Sequence, residues 1–192
     1  MGDNRNILVG TSGAGADGTG LSWFGITGST APTDATTALA AAWKNAGLVS
    51  EDGLTEKLNT SSKDVKAYGS LQIQRKIITD ASVTFDITFL EKNLRVMELY
   101  YGIAFNTLTA GVGTGAFSYT FGIYTRQLVA GVFDIIDGTT HHRIYCPQLE
   151  VTDRKDIKYA TTDAAMYGVT FTAYPNSSGV AVQAYDIVPA LG

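Results

Sequence analysis

The stretch Val83-Thr84-Phe85-Asp86-Ile87-Thr88-Phe89 decides the fold class of this chain. Apolar and polar side chains alternate through it. Because successive side chains of a β-strand point to opposite faces, the pattern predicts a strand with one buried and one wet face. The preceding residues 71–79 alternate less cleanly, and Thr79-Asp80-Ala81-Ser82 has the composition of a turn. We therefore predict a hairpin of strands 71–79 and 83–89.

The two faces of this predicted hairpin differ in chemistry. Its apolar face supplies four core residues, which are Val83, Phe85, Ile87 and Phe89. Its polar face carries Gln72, Gln74, Thr84, Asp86 and Thr88, with Lys76 on the same side. The first face is expected to be buried and the second to meet water.

The rest of the chain adds further strands and two predicted helices. Alternating segments at 118–124, 128–136, 143–152, 165–174 and 180–188 are separated by Gly, Pro, Asp and Ser clusters, which is typical of antiparallel sheets. One helix is predicted between an Asp34 cap and Gly47, with the core anchors Leu39 and Trp43 on one face. A second begins at the cap Asn93 and ends at Gly102. The predicted fold is mainly β: a β-sandwich or open barrel with a flanking helix and long loops.

Two segments show no regular apolar period. Residues 10–33 are rich in Gly and Thr, so residues 1–33 are predicted to form an N-terminal arm. Residues 47–63 are polar, and ordering them costs about 25 kcal/mol at ~1.5 kcal/mol per residue. A loop of this composition cannot offset that cost on its own domain, so we predict that it is ordered by a neighbouring subunit.

Composition limits the function classes. The 192 residues suit one domain, and the net charge of −4 without any Lys/Arg-rich run argues against a surface that grips nucleic acid. A single cysteine, Cys146, cannot form an internal disulfide, and the polar start of the chain lacks an apolar signal region, so synthesis in a cytosol is expected. No stretch of about 18 apolar residues predicts a membrane span.

Three enzymatic interpretations are weaker than their structural alternatives. Gly13-Ala14-Gly15-Ala16-Asp17-Gly18 matches a dinucleotide-binding fingerprint, but the glycines that follow forbid the helix that would hold phosphate, which favours a flexible loop. His142 and Cys146 would stand ~13 Å apart on a strand with His141 on the other face, so a shared metal is not expected. No G-x-S-x-G hydrolase motif occurs. We predict no catalytic, cofactor or metal site.

Three stretches carry a resemblance to a known family. They are Trp43-Lys44-Asn45-Ala46-Gly47-Leu48-Val49-Ser50-Glu51-Asp52-Gly53-Leu54, Phe89-Leu90-Glu91-Lys92-Asn93, and Leu99-Tyr100-Tyr101-Gly102. In order and spacing they resemble the major tail (tail tube) proteins of long-tailed bacteriophages, especially those of actinobacterial hosts. The resemblance covers roughly residues 25–190.

The resemblance implies a structural virion protein rather than an enzyme. It implies a β-sandwich that assembles as a ring of six copies, whose inner sheets close into one continuous β-barrel around passing DNA. The partners it implies are further copies of the chain and the tape-measure, tail-terminator and baseplate proteins, with assembly in the host cytoplasm. In such a ring the inter-subunit contacts would come from Leu48, Val49, Ser50, Glu51, Asp52 and Leu54, and the lumen would be lined by Gln72, Gln74, Thr84, Asp86 and Thr88.

Two alternatives remain open from the residues. The chain could form the inner tube of a contractile injection or gene-transfer particle, which would have the same fold and another cargo. It could also be a monomeric β-sandwich binding module that uses exposed aromatic side chains. Polymers of the purified protein would exclude the module.

Overall fold

The computed structural model describes residues 21–122 and 126–188 of the chain. Within them, eight antiparallel strands and one α-helix are formed, and the prediction of a mainly β fold is confirmed. In chain order these elements are β1 Ser22–Ile26, β2 Lys44–Asn45, β3 Val49–Lys66, β4 Ile73–Phe89, α1 Leu94–Tyr101, β5 Leu128–Asp137, β6 Thr140–Arg154, β7 Tyr167–Ala173 and β8 Gln183–Ile187. The predicted strands at 128–136, 143–152, 165–174 and 180–188 are confirmed as β5 to β8.

The strands form one sheet that turns back on itself. Its order is β2-β1-β5-β6-β7-β4-β3, with β8 paired to β6. Strand β6 belongs to both halves, because one side pairs with β5 while the other pairs first with β8 and then with β7. The two halves pack face to face as a sandwich or open barrel, as predicted, since side chains of β1 and β5 meet those of β4 and β7.

Aromatic rings join the two halves. Phe24 of β1 lies with its ring centroid 5.2 Å from that of Phe171 and 6.2 Å from that of Phe89. The ring centroids of Phe85 and Phe133 are 5.3 Å apart. Of the predicted core residues in β4, Phe85, Ile87 and Phe89 are fully buried and Val83 is half-buried. Burying each large apolar side chain contributes about 1.5–3 kcal/mol.

Helix α1 packs on β6 and β7 and has the predicted caps. The Asn93 side chain accepts a hydrogen bond from the Val96 amide at 2.9 Å, and Gly102 takes the left-handed conformation at φ 68°. Both interactions are local, so the sequence alone was enough to place the ends of this helix.

The helix predicted from Asp34 to Gly47 is wrong. Asp34 does accept bonds from the Thr36 and Thr37 amides at 2.8 and 2.5 Å, as a helix cap would, but the chain continues as bends and the short strand β2. The reason is a tertiary contact. The Arg143 guanidinium donates hydrogen bonds to the Asp34 and Thr37 carbonyls at 3.0 and 2.7 Å, so these carbonyls do not accept bonds within a helix. The predicted anchors Trp43 and Leu39 still belong to one cluster, in which Trp43 is buried and Leu39 half-buried.

The predicted loop 47–63 and the predicted turn 79–82 are also wrong. Residues from Val49 onward form the 18-residue strand β3, and β4 runs unbroken through 79–82. The turn of this long hairpin lies instead at 67–72. Most of β3 is exposed on both faces, so it has no core face to impose an apolar period, and its polar composition resembled that of a loop.

Two further predictions fall partly outside the described residues. Residues 118–122 of the predicted strand 118–124 are not a strand, and residues 123 and 124 are not described. The predicted loop 10–33 contains β1 from Ser22, and the Gly13–Gly18 motif lies outside the described residues.

Candidate assembly surfaces

A polar face covers the outside of β3, β4 and β7, opposite the aromatic core. In register, Asp86 lies beside Thr55 of β3 and Thr170 of β7, and Thr84 lies between Lys57 and Thr172. The strand β6 extends the face with Thr152, whose hydroxyl lies 2.9 Å from that of Thr172. We call this surface the threonine face, defined by Thr55, Lys57, Asn59, Thr84, Asp86, Thr88, Thr152, Thr170 and Thr172.

Hydrogen bonds across the strands hold the threonine face in place. The Thr170 hydroxyl donates to the Asp86 carboxylate, and the Asn59 amide donates to the Thr84 hydroxyl at 3.3 Å. Its residues are half-buried or exposed. The residues that define the face therefore present hydroxyl groups with one amide, one carboxylate and one ammonium group.

The structure brings three of the five predicted lumen residues together. Thr84, Asp86 and Thr88 lie on the threonine face, whereas Gln72 lies in the turn before β4 and Gln74 near the far end of that strand. A β-bulge accounts for the separation, because Ser61 pairs with Asp80 while Ser62 pairs with Ile78. The extra residue, Thr79, exchanges the faces of β4, so that beyond it Arg75 and Ile77, not Gln74 and Lys76, continue the side of Asp86.

The sequence interpretation missed the contributions of β3, β6 and β7 to this face. A signal was present in β7, where Tyr167, Val169, Phe171 and Ala173 are buried and Thr170 and Thr172 alternate with them. The sequence does not reveal Thr55 and Lys57 as members of this face, because their segment has the polar composition of a loop.

A hairpin arm projects beyond the body of the sheet. We define the arm as residues 59–82, since the pairing of β4 with β7 ends at Val83 and Ala173, and β3 pairs with β4 alone among the described strands. Its large apolar side chains are exposed, among them Leu71 at 95% and Ile78 at 67%. A concentration of exposed apolar side chains on one segment is typical of a surface that contacts other proteins.

The predicted inter-subunit segment lies where β3 begins. Leu48, Glu51 and Asp52 are exposed, and Val49, Ser50 and Leu54 are half-buried, with Val49 and Leu54 against the core. The segment is tied to the passage before α1, because the Leu48 amide donates to Glu91 at 2.8 Å and Asn93 donates to the Ala46 carbonyl at 2.8 Å. Gly47 is required here: its φ is 84°, and an added Cβ would lie 2.4 Å from the Glu91 carboxylate.

A comparison with known protein families finds a match over most of the chain. A family model described as phage tail tube protein matches residues 13–185. The chain belongs to the phage tail tube protein family. The resemblance noted from the sequence is therefore confirmed. No curated protein matches the chain.

Membership fixes the broad role of this tail tube protein. It is a structural component of the virion tail that assembles into an oligomeric tube, and its family is not an enzyme family. The two segments of the resemblance that flank the hairpin, 43–54 and 89–93, contact each other through Leu48, Glu91 and Asn93. They act together as the base from which the hairpin of β3 and β4 extends.

The described residues of this tail tube protein show no metal-binding group of three or more His, Cys, Asp or Glu side chains. The His142 Nδ1 atom lies 2.5 Å from Asp186 Oδ1 on the neighbouring strand β8. Cys146, four residues further along β6, is fully buried. Burial raises the pKa of the Cys146 thiol well above its usual value and so disfavours the nucleophilic thiolate form. Helix α1, the helix of the described part, is too short to cross a membrane.

Proposed function

We propose that six copies close into a ring, that rings stack into the tail tube, and that the threonine face lines a lumen through which DNA passes. The observation that carries the proposal is the polarity of this sheet. One side is the phenylalanine core and must be buried within the subunit, whereas the residues of the other side are polar and half-buried or exposed. A channel for a hydrated polyanion needs such a wall.

The position of β3 supports closure of the ring. It lies at the end of the sheet, its outer edge is long, and apolar side chains of this strand such as Leu58 are exposed. An open edge of this kind promotes uncontrolled pairing, and closing neighbouring sheets into one barrel removes it. The inner barrel would then combine strands β3, β4, β7 and part of β6 from each copy.

The chemistry of the threonine face suits passage rather than binding. Duplex DNA carries one phosphate charge per ~1.7 Å, so clustered cations in a lumen would hold it through many ionic contacts. On β3, β4 and β7 the residues that define the face offer Asp86 against Lys57, which cancel in formal charge, and otherwise neutral hydroxyl and amide groups. On β6, Glu150 and Asp153 lie in register with Thr172 and Thr170, so the charge that β6 adds is acidic rather than cationic. DNA can slide along such a wall without a specific site.

Assembly in the host cytoplasm, and contacts with tape-measure, tail-terminator and baseplate proteins at the ends of the tube, complete the proposal. Membership of the tail tube family supports this part of the proposal.

Electron microscopy and one charge reversal test the proposal. The purified chain should form stacked rings with a central channel. Asp86→Lys should leave folding and tube formation intact, because the site is partly solvated, but should slow DNA ejection from particles that carry it. Asp163→Lys is the matched control, since Asp163 is exposed and pairs with Lys158 in the loop after β6.

Two results would contradict the proposal. One is a tube in which Asp86 lies on the outer wall. The other is a set of Asp86→Lys particles that release DNA at the parent rate.

A further inference from the structure

A small pocket opens on the side of the molecule away from the threonine face. Side chains of β1, β5 and β6 alternate between the phenylalanine core and an outer face, where Val132 and Tyr145 belong to a second apolar cluster. The segment 30–43 packs on this outer face through Leu39 and Trp43. It encloses a pocket of about 180 Å³. The aromatic core therefore lies between the pocket and the threonine face.

The backbone around the pocket is fixed by side chains from other parts of the fold. The indole Nε1 of Trp43 donates to the Thr30 carbonyl at 3.0 Å, and the Tyr185 hydroxyl of β8 donates to the Pro32 carbonyl at 2.7 Å. Arg143 of β6 holds two further carbonyls of the same segment. Because these bonds exist without a ligand, the pocket is preorganised, and binding costs little ordering of the chain.

Most of the pocket wall is apolar. It consists of the buried indole of Trp43, the rings and chains of Pro32 and Leu39, and alanines that include Ala38 and Ala40. Small-molecule sites are typically lined in this way, with a few polar groups that orient the ligand.

The polar groups of the pocket are hydroxyls. Thr30, Thr33 and Thr37 line it, and each hydroxyl oxygen can accept a hydrogen bond from a ligand. None of the nine described residues that line the pocket is charged. The Asp34 carboxylate in the same segment already accepts bonds from the amide and the hydroxyl of Thr37, each at 2.5 Å. The pocket is therefore suited to an uncharged ligand.

The volume of the pocket suits one six-membered ring. An apolar cavity of ~150 Å³ holds a benzene molecule. The three threonines are exposed, so this pocket is open to water on one side and substituents of the ring can project outward. A purely apolar ring would cover the hydroxyls without offering them a partner, and a charged ring would find no opposite charge on the wall. A neutral sugar ring offers C–H groups to the apolar wall and hydroxyls to the rim.

We propose that this pocket binds one neutral hexopyranose unit of a glycan, with a C–H face of the sugar against Trp43 and its hydroxyls bonded to Thr30, Thr33 and Thr37. The location of the site rests on the proposed function: with the threonine face on the lumen, the pocket opens on the outer wall of the tube. Every copy then presents one pocket, so a polysaccharide chain engages several pockets at once and gains affinity from their number. The wall of the tail tube thereby adheres to neutral polysaccharide.

The unassembled subunit tests the pocket itself. Saturation-transfer NMR with the methyl glycosides of glucose, mannose and galactose should show at least one that binds with a Kd on the order of 1 mM, as expected for a single ring in a half-open pocket. Sodium glucuronate should bind about tenfold more weakly than the matching neutral glycoside, because the wall offers its carboxylate no cation.

Three alanine substitutions supply the variants and their control. Ala38→Leu and Ala40→Leu place extra volume at the pocket and should each weaken glycoside binding about tenfold. Ala41→Leu is the matched control, since Ala41 belongs to the same segment but does not line the pocket, and it should bind like the parent. All three alanines are exposed, so thermal unfolding should show that the variants fold.

Assembled tubes test whether the sugar comes from a polymer. Tubes should co-sediment with dextran, mannan or galactan, whichever contains the sugar that the subunit binds, and the free methyl glycoside should release them. Ala40→Leu tubes should stay in solution. Tubes that bind the glycoside but none of these polymers would restrict the ligand to free sugars and overturn the adhesive role.

Other outcomes separate this site from the proposed function. The sugar site is refuted if no glycoside binds the parent, if both pocket variants bind like the parent, or if benzene binds more tightly than every glycoside. Loss of glycoside binding on assembly would make the pocket a contact between copies, which also overturns the inference. If the subunit binds a glycoside in this pocket but never forms tubes, the sugar site is supported while the proposed function fails.

Discussion

Glu98 of α1 is expected to be the most sensitive polar residue of the described fold. Its side chain is fully buried, and one carboxylate organises the loop that follows the helix. Oε1 accepts hydrogen bonds from the Thr107 and Leu108 amides at 2.8 and 2.6 Å. Oε2 accepts from the Asn106 amide at 2.8 Å and from Arg95 at 2.7 Å.

Replacing Glu98 with Gln keeps the shape and removes half of this network. The amide oxygen can still accept from Thr107 and Leu108, but the NH₂ group then faces two donors, the Asn106 amide and the Arg95 guanidinium. The two hydrogen bonds that Glu98 Oε2 accepts are therefore lost, and each hydrogen bond to a charged group contributes ~1.5–3 kcal/mol to stability. Breaking one side of a buried ion pair costs about 3–5 kcal/mol. We therefore expect Glu98→Gln to lower the free energy of unfolding by about 3–5 kcal/mol.

Urea unfolding of the unassembled subunit, followed by tryptophan fluorescence, measures this loss. Glu56→Gln is the control, because that carboxylate is exposed and should change stability by less than about 0.5 kcal/mol. Combining Glu98→Gln with Arg95→Met should be markedly less destabilising than the sum of the two, since the substitutions remove the same ion pair. A loss below about 1 kcal/mol for Glu98→Gln would refute the assignment of Glu98 as the organiser of this loop.

Two further predictions concern buried side chains. Trp43→Ala should cost about 3–5 kcal/mol in urea unfolding, because the indole is buried against Tyr145 and donates to the Thr30 carbonyl at 3.0 Å, whereas Trp23→Ala, at a half-buried site, should cost clearly less. Equal losses for the two tryptophans would contradict the role of Trp43 as an anchor. Cys146 should fail to react with a thiol reagent in the folded subunit and react fully in denaturant, since burial raises its pKa and blocks access. Rapid labelling of the native protein would contradict that burial.

The elements that were predicted correctly are those specified by short-range chemistry. The ends of α1 follow from the Asn93 cap and the left-handed Gly102, both within one turn of the helix. The strands β5, β6 and β7 contain buried residues in long alternating or continuous runs, bounded by turn residues. The core residues of β4 were identified for the same reason.

The failures arise where distant residues decide the structure. Asp34 makes the bonds of a helix cap, but Arg143, more than a hundred residues away in sequence, takes the carbonyls that would continue the helix. The arm is extended because its two strands pair with each other, not because either strand has an apolar face. The bulge at Thr79 leaves no mark in composition, yet it exchanges the faces of β4 and separates Gln74 from Asp86.

The independence of the hairpin arm has a consequence for how such tubes diverge and how they could be engineered. Residues 59–82 extend beyond the β7 pairing, so the phenylalanine core places few demands on their identity or number. Mutation can lengthen, shorten or recharge the arm while the body continues to fold. Grafting arms of different length or sign onto one body is thus a route to families of nanotubes that assemble side by side without mixing.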